Sequence, residues 1–360
     1  MTHRERFLGV LNYESVDRLP YWASGGWVET HKRWLDEGMP PNTSLEKIFD
    51  SEHPAGVGTY YGFAPKFDEE IIEQTESHVT YLNFEGIVMK ERRDVRDASM
   101  PQFLKFPVET REDYRKLKWR MELNAEDRFV PDFDEKCENW KTRTDPLCLM
   151  GDRQAGFFGP LRNLMGLENL STTFFDDPAF MEEMLDDRVD LIIQITEYIL
   201  DRTDIDYFAF WEDMAFRTGP LLSPAMFKKF LVPRYRKVTD YLRSRGVEYI
   251  FVDSDGDCRQ LVPHWIDGGL SGMWPLERIA NMDPIEIRKE FGKEWLIFGG
   301  VAKQALAEGP DAIDEEVWRL RPLIEEGGFV PMVDHSCPPD ISWEHKCYFM
   351  KVLKEVISFE

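Results

Sequence analysis

No stretch of this sequence approaches the ~18 uninterrupted apolar residues of a membrane-spanning helix. The opening MTHRERFLGVLNYESVDRLP places charges where a secretory leader keeps an apolar core. Cysteine is scarce. The five residues (Cys137, Cys148, Cys258, Cys337, Cys347) are odd in number, widely spaced and without a CxxC pair, which suits a reduced cytoplasmic protein and not a disulfide scaffold. Positive charge is also in deficit, with 44 Lys+Arg against 67 Asp+Glu and a formal net charge of −23. Sequence-independent nucleic-acid or anionic-membrane binding needs the opposite balance, because basic groups must replace counterions. Neither GxGxxG nor GxxxxGK[ST] follows any expected strand, so the usual nucleotide signatures are missing. No internal repeat or low-complexity linker divides the chain, and one domain over residues 1–360 is expected.

A 42% hydrophobic share with 13% aromatics supports a large packed core. Thr2 followed by Glu5 reads as a capping box opening a first helix. Residues 18–22 read as a short strand running into Ala23-Ser24-Gly25-Gly26, and residues 78–93 as two strands around a turn at 83–86. From residue 146 short apolar runs (147–150, 207–211, 249–252, 270–274, 295–298, 329–333) alternate with long amphipathic stretches. Two of those stretches end in glycine, Gly246 and Gly327, as helix ends do. Such alternation predicts a parallel sheet with crossover helices. A closed barrel and an open sheet both satisfy it, and the missing nucleotide signatures favour an α/β (β/α)8 TIM barrel. Residues 1–145 would form an N-terminal elaboration plus the first strand, and residues 146–360 regular βα units.

In a parallel barrel the working groups lie at the C-terminal strand ends. There the sequence is polar: Gly151-Asp152-Arg153-Gln154, Glu212-Asp213, Asp253-Ser254-Asp255-Gly256-Asp257, Glu277, Gly299-Gly300 and Asp334-His335-Ser336-Cys337. Asp253 or Asp255 either caps a helix over 259–265 or supplies a carboxylate to a metal or a proton transfer. Glu277 either pairs with a nearby arginine or joins them across the mouth. Of the seven histidines His335 directly follows an expected strand, with Asp334 placed to orient its ring and Cys337 to add a soft ligand. The other six, His3 among them, read as surface residues or, for His264, as mid-helix. Arg153, Arg162 and Arg217 either hold an anionic substrate group or pair with neighbouring acids.

The strings GDRQAGFFGPLRNLMGLENL, WEDMAFRTGPLLSPAMFKKFLVPRYRKV, DSDGD, GLSGMWPLE, GGV and GGFVPMVDHSCPPD, with the opening THRERFLGVLNYESVDRLPYW, resemble the uroporphyrinogen decarboxylase superfamily over nearly the whole chain. The resemblance implies a (β/α)8 barrel with its site at the C-terminal mouth. It also implies either decarboxylase activity or methyl transfer to or from a corrinoid protein. The decarboxylases follow their first strand with arginines that hold a polycarboxylate, whereas here Tyr21 to Trp27 contains none. The zinc methyltransferases of the superfamily carry His-x-Cys where this chain has Asp253-Ser254-Asp255, so soft ligands are replaced by hard ones. The expectation is therefore a corrinoid-linked methyltransferase acting on a small O- or N-methylated compound, the alternative being a decarboxylase. Asp253, Asp255, Glu277 and His335 are its candidate catalytic residues. Asp255, Glu277, His335 and Cys337 are the candidate ligands of a divalent metal, zinc first. Trp22, Trp27, Arg153, Glu212 and Arg217 would line the substrate pocket. A corrinoid-binding protein is the expected partner, and a homodimer is the general expectation for such an enzyme.

Overall fold

The computed structural model describes residues 1–93, 101–150 and 154–359. Its strands, in chain order, are β1 (Ala55–Gly56), β2 (Glu70–Gln74), β3 (His78–Leu82), β4 (Val88–Arg92), β5 (Gln102–Lys105), β6 (Leu147–Met150), β7 (Tyr207–Trp211), β8 (Ala215–Phe216), β9 (Gly219–Pro220), β10 (Tyr249–Asp253), β11 (Gly272–Leu276), β12 (Leu296–Val301) and β13 (Phe329–Val333). Seven of them form one sheet in the order β1-β6-β7-β10-β11-β12-β13, and every pairing in it is parallel. Sequences such as YFAFW in β7 and YIFV in β10 are apolar on both faces, as a sheet covered by helices requires.

Residues 22–26 touch the chain just ahead of β1 and just after β13, the two edges of this sheet. Trp22 makes an isolated parallel bridge to Glu52 and Gly26 one to Cys337. The expected strand over 18–22 therefore exists only as bridges, since Pro20 has no N–H to give and Gly25-Gly26 turn the chain away. Among the described residues the sheet has seven full strands, not eight. Aromatic rings pack the interior: Tyr207 meets Phe251 edge-on, Phe251 lies tilted against Trp274 and Phe298, and the Trp274 and Phe298 rings stack 5.8 Å apart and nearly parallel.

Helix His3–Leu11 closes the end where the strands begin. The expected capping box is present, with Thr2 and Glu5 exchanging hydrogen bonds. The amide of Arg4 reaches the Thr144 carbonyl, just ahead of β6, and the amide of Gly328, just ahead of β13, reaches the Val10 carbonyl. Phe7 projects from this helix onto Tyr207, Phe298 and Trp22. Crossover helices cover the outside, the longest being Pro178–Leu200, which is capped by Asp177 and buries Phe180, Met181, Met184 and Leu185 along one stripe.

Two expected helices are each broken in two. The stretch 223–246 becomes Pro224–Phe230 and Val232–Ser244, and 311–328 becomes Pro310–Trp318 and Arg321–Glu326. Pro233 and Pro322 explain both breaks, because proline lacks the N–H of a helix interior and fits the first turn of a new one. Gly246 and Gly327 sit at positive φ (86° and 88°) just past helix ends, Gly327 directly after Glu326 and Gly246 after the cap residue Arg245, as expected. The hairpin expected over 78–93 is β3–β4, paired from His78↔Arg92 to Leu82↔Val88, within a separate antiparallel sheet β2-β3-β4-β5. No helix among the described residues is long and apolar enough to cross a membrane.

Candidate functional site at the C-terminal mouth

Three strand ends converge. Asp255 follows β10, Glu277 follows β11 and His335 follows β13, and one ligand atom from each lies within 4.8 Å of the other two. His335 Nε2 is 3.3 Å from Asp255 Oδ2. This hydrogen bond raises the imidazole pKa above its ordinary value, against the opposing pull of burial. Glu277 is engaged at both oxygens: Oε1 lies 3.2 Å from Lys303 Nζ, and Oε2 accepts the Gly256 N–H at 3.1 Å. Gly256 adopts φ +81°, and a Cβ there would stand 2.5 Å from the Ala215 carbonyl oxygen. Only glycine lets this turn come so close to the β8 hairpin and aim its amide at Glu277.

A layer of buried acids holds the site from below. Asp334 is fully buried; its Oδ2 accepts the amide of Arg278 at 3.0 Å and its Oδ1 that of Lys303 at 3.1 Å. Burial pushes the Asp334 carboxyl up, and these amides and Lys303 pull it back. Glu316 accepts from the Ala302 amide at 2.9 Å and from Arg278 Nη1 at 2.8 Å, and Arg278 and Arg319 both reach Asp283. The loops bearing Glu277, Lys303 and His335 are thereby tied to one another.

The remaining expectations fare differently. Asp253 ends β10, partly exposed, and its carbonyl takes the amides of Glu212 and Asp213. Trp27 stands at the rim with its ring exposed and its amide on the Cys337 carbonyl. Arg217 is exposed and gives its Nε–H to the Ile279 carbonyl. Arg162 is held by Asp213, at 2.6 Å to both the carbonyl and the carboxylate. Arg153 lies outside the described residues.

Three placements correct the sequence reading. Trp22 is buried in the interior, with its indole N–H on His3 Nε2 at 2.9 Å, so it faces the closed end and not the mouth. His3 is correspondingly buried, its Nδ1 3.0 Å from Asp145, rather than on the surface. Glu212 has no exposed surface; its oxygens accept the amides of Phe157, Phe158 and Gly159 and the Tyr235 hydroxyl, so it caps helix Phe158–Met165 and has no acceptor left for substrate.

Cys337 is also not among the converging ligands. It is fully buried, its backbone is tied to Gly25, Trp27 and Thr30, and burial pushes its thiol pKa up. Nor does Asp334 orient the His335 ring, because both of its oxygens are spent on backbone amides and His335 Nδ1 is buried without a partner. Lys303 is the residue that sequence reasoning missed. Its signal was position, two residues beyond the β12 strand end.

Two carboxylates and an imidazole, each on a different strand end and partly open to solvent, fit a divalent cation. Three protein donors with room for a fourth group is the form of catalytic zinc sites, and the oxygen majority also suits harder ions. His335 Nδ1 is buried without a protein partner, so the outer hydrogen bond that usually orients a metal-binding imidazole is not supplied by the chain here.

A parallel sheet with its polar cluster at the strand ends is shared by many enzymes, so the sequence match decides the family. The model of uroporphyrinogen decarboxylase matches residues 95–356, most of the chain. The chain belongs to the uroporphyrinogen decarboxylase family. A solved methyltransferase from Methanosarcina mazei is similar over 99% of both chains, at 14% identity and a TM-score of 0.61, and so shares the fold. A 3-keto-L-gulonate-6-phosphate decarboxylase from Vibrio cholerae overlaps 58% of this chain and 84% of its own, at 10% identity and a TM-score of 0.24. No curated protein sequence matches the chain. Arg162 and Arg217 are already bonded within the protein, and Tyr21 to Trp27 contains no arginine.

Proposed function

We propose that this family member is a methyltransferase that takes a methyl group from a small O- or N-methylated compound and passes it to a corrinoid carried by a partner protein. The observation that carries the reading is the convergence of Asp255, Glu277 and His335 within 4.8 Å at the mouth. These three residues would hold a divalent metal, which when bound supplies Lewis acidity to the heteroatom that loses its methyl group. The protein's own residues do the rest. Asp334 and Glu316 fix the loops so that the three donors keep their separation, and the aromatic floor formed by Trp274 and Phe298 excludes water from beneath. The exposed Trp27 and Phe216 rings give the rim apolar surface for the methylated compound or the partner. The shared fold with a methyltransferase supports the reading without specifying the acceptor.

One observation favours a second reading, decarboxylation of a small acid. Lys303 and His335 each lie against a carboxylate, so the cluster holds proton donors that work without a metal. A tetrapyrrole bearing many carboxylates is poorly served, since Arg162 and Arg217 are committed elsewhere.

The deciding experiment is anaerobic methyl transfer to a reduced corrinoid protein across a panel of methoxy and methylamine compounds, with the enzyme metal-loaded and chelator-stripped. Transfer that depends on metal supports the proposal. Inactivity across the panel in a folded protein, together with carbon dioxide release that survives chelation, would replace it with the second reading.

A further inference from the structure

Lys303 brings a positive charge to one of the three donors. Its ammonium lies 3.2 Å from Glu277 Oε1, and both side chains are largely buried, at 17% and 16% exposure. The Lys303 backbone is anchored, its amide on Asp334 Oδ1 at 3.1 Å, whereas its four-carbon stem has rotatable bonds of its own. Glu277 has no idle oxygen: Oε2 is occupied by the Gly256 amide, which the turn cannot retract without leaving its φ of +81°.

We propose that Lys303 is the site's resident cation: it neutralises Glu277 in the metal-free protein and competes with a divalent metal for that carboxylate. The inference rests on the metal reading above and concerns its regulation. Without the ammonium, the Glu277 carboxylate would lose its counter-charge beside Asp255 while the loops stay tied through Asp334. With it, the Glu277 charge is balanced, and an arriving dication meets one net negative charge fewer. Metal binding then requires the Lys303 side chain to leave Glu277 while its backbone stays on Asp334. The arrangement yields a weakly held, exchangeable metal where three ligands alone would give a tighter one.

The test uses the full-length protein stripped with chelator, titrated with Zn²⁺ against a chromophoric chelator, with thermal melts verifying the fold. Lys303→Met is expected to bind zinc on the order of tenfold more tightly than the wild type, as removal of one unit charge at this range implies. Lys303→Arg, which keeps the charge, is expected to stay within about threefold of the wild type. Where the methionine variant does not fold, Lys303→Gln gives the same reading. Equal or weaker binding by the charge-removed variant overturns the proposal and leaves the metal reading standing. Tightening by the arginine variant as well overturns it in favour of a packing effect. Zinc binding by neither protein overturns the metal reading and the proposal together.

Discussion

Asp334 Oδ1 accepts the backbone N–H of Lys303 at 3.1 Å, so the residue beside His335 in sequence holds the one beside Glu277 in space. Its other oxygen takes the amide of Arg278, next to Glu277 itself. One buried carboxylate thus sets the spacing of three side chains that arrive from β11, β12 and β13.

Asp334→Asn is expected to destabilise the protein by about 1–3 kcal/mol, because one of the two amides would then face an NH2 donor and lose its acceptor. Urea titration reads the cost. The same variant should bind zinc less tightly than the wild type although Asp334 is not a ligand. Unchanged stability and unchanged metal affinity would remove it from the role of organiser.

Glu212 separates scaffold from site. Glu212→Gln leaves one oxygen to serve donors that now occupy two, and places an NH2 against backbone amides. A loss of about 2–4 kcal/mol in unfolding free energy is expected. Under conditions where it is folded, the variant should keep the wild-type KM. A raised KM at unchanged stability would return Glu212 to the substrate pocket.

At Gly256 the backbone has a φ of +81° and no room for a Cβ. Gly256→Ala should cost about 1–3 kcal/mol and move the amide that Glu277 Oε2 accepts. The measurable consequence is weaker zinc binding in the same competition titration. Gly38, also at positive φ but with open space around its Cβ position, is the control, where Gly38→Ala should affect stability alone.

Acid sensitivity is expected at the closed end of the sheet. Burial lifts the Glu52 carboxyl, but hydrogen bonds from Arg18 and the Tyr21 amide bring it below its ordinary value. Asp17, held chiefly by its hydrogen bond from Arg6, also lies well below its ordinary value. A carboxyl whose folded pKa is depressed stabilises the protein fully above its unfolded pKa, about 4. That stabilisation drains away as the pH falls through the folded value. Urea midpoints measured from pH 7 to pH 3 should therefore fall, and Glu52→Gln should fall less over the same range from a lower start. Parallel curves would show that Glu52 does not contribute.

Much of the architecture was legible in order. Periodicity and glycine ends located β6, β7 and β13 to the residue and displaced β10, β11 and β12 by only one to three residues at their ends. Local signals sufficed there because a parallel strand's apolar run and a helix's cap are properties of neighbours in the chain. The first strand was not legible as it is, since pairing with Glu52 and Cys337 depends on partners 30 and 311 residues away. Pro233 and Pro322 were visible in the sequence, and their power to split each helix followed from covalent geometry that the amphipathic pattern obscured.

The site divides along the same line. That Asp255, Glu277 and His335 stand at strand ends was written in the sequence, because strand–loop alternation puts such residues on one rim. That Glu212, Trp22 and Cys337 turn inward, that Asp334 spends both oxygens on amides, and that Lys303 reaches Glu277 were decided by tertiary structure alone. Sequence determines which face a residue shares. Which neighbour satisfies its charge or hydrogen bond depends on distances between loops that only the packing of the sheet brings within 3 to 4 Å of each other.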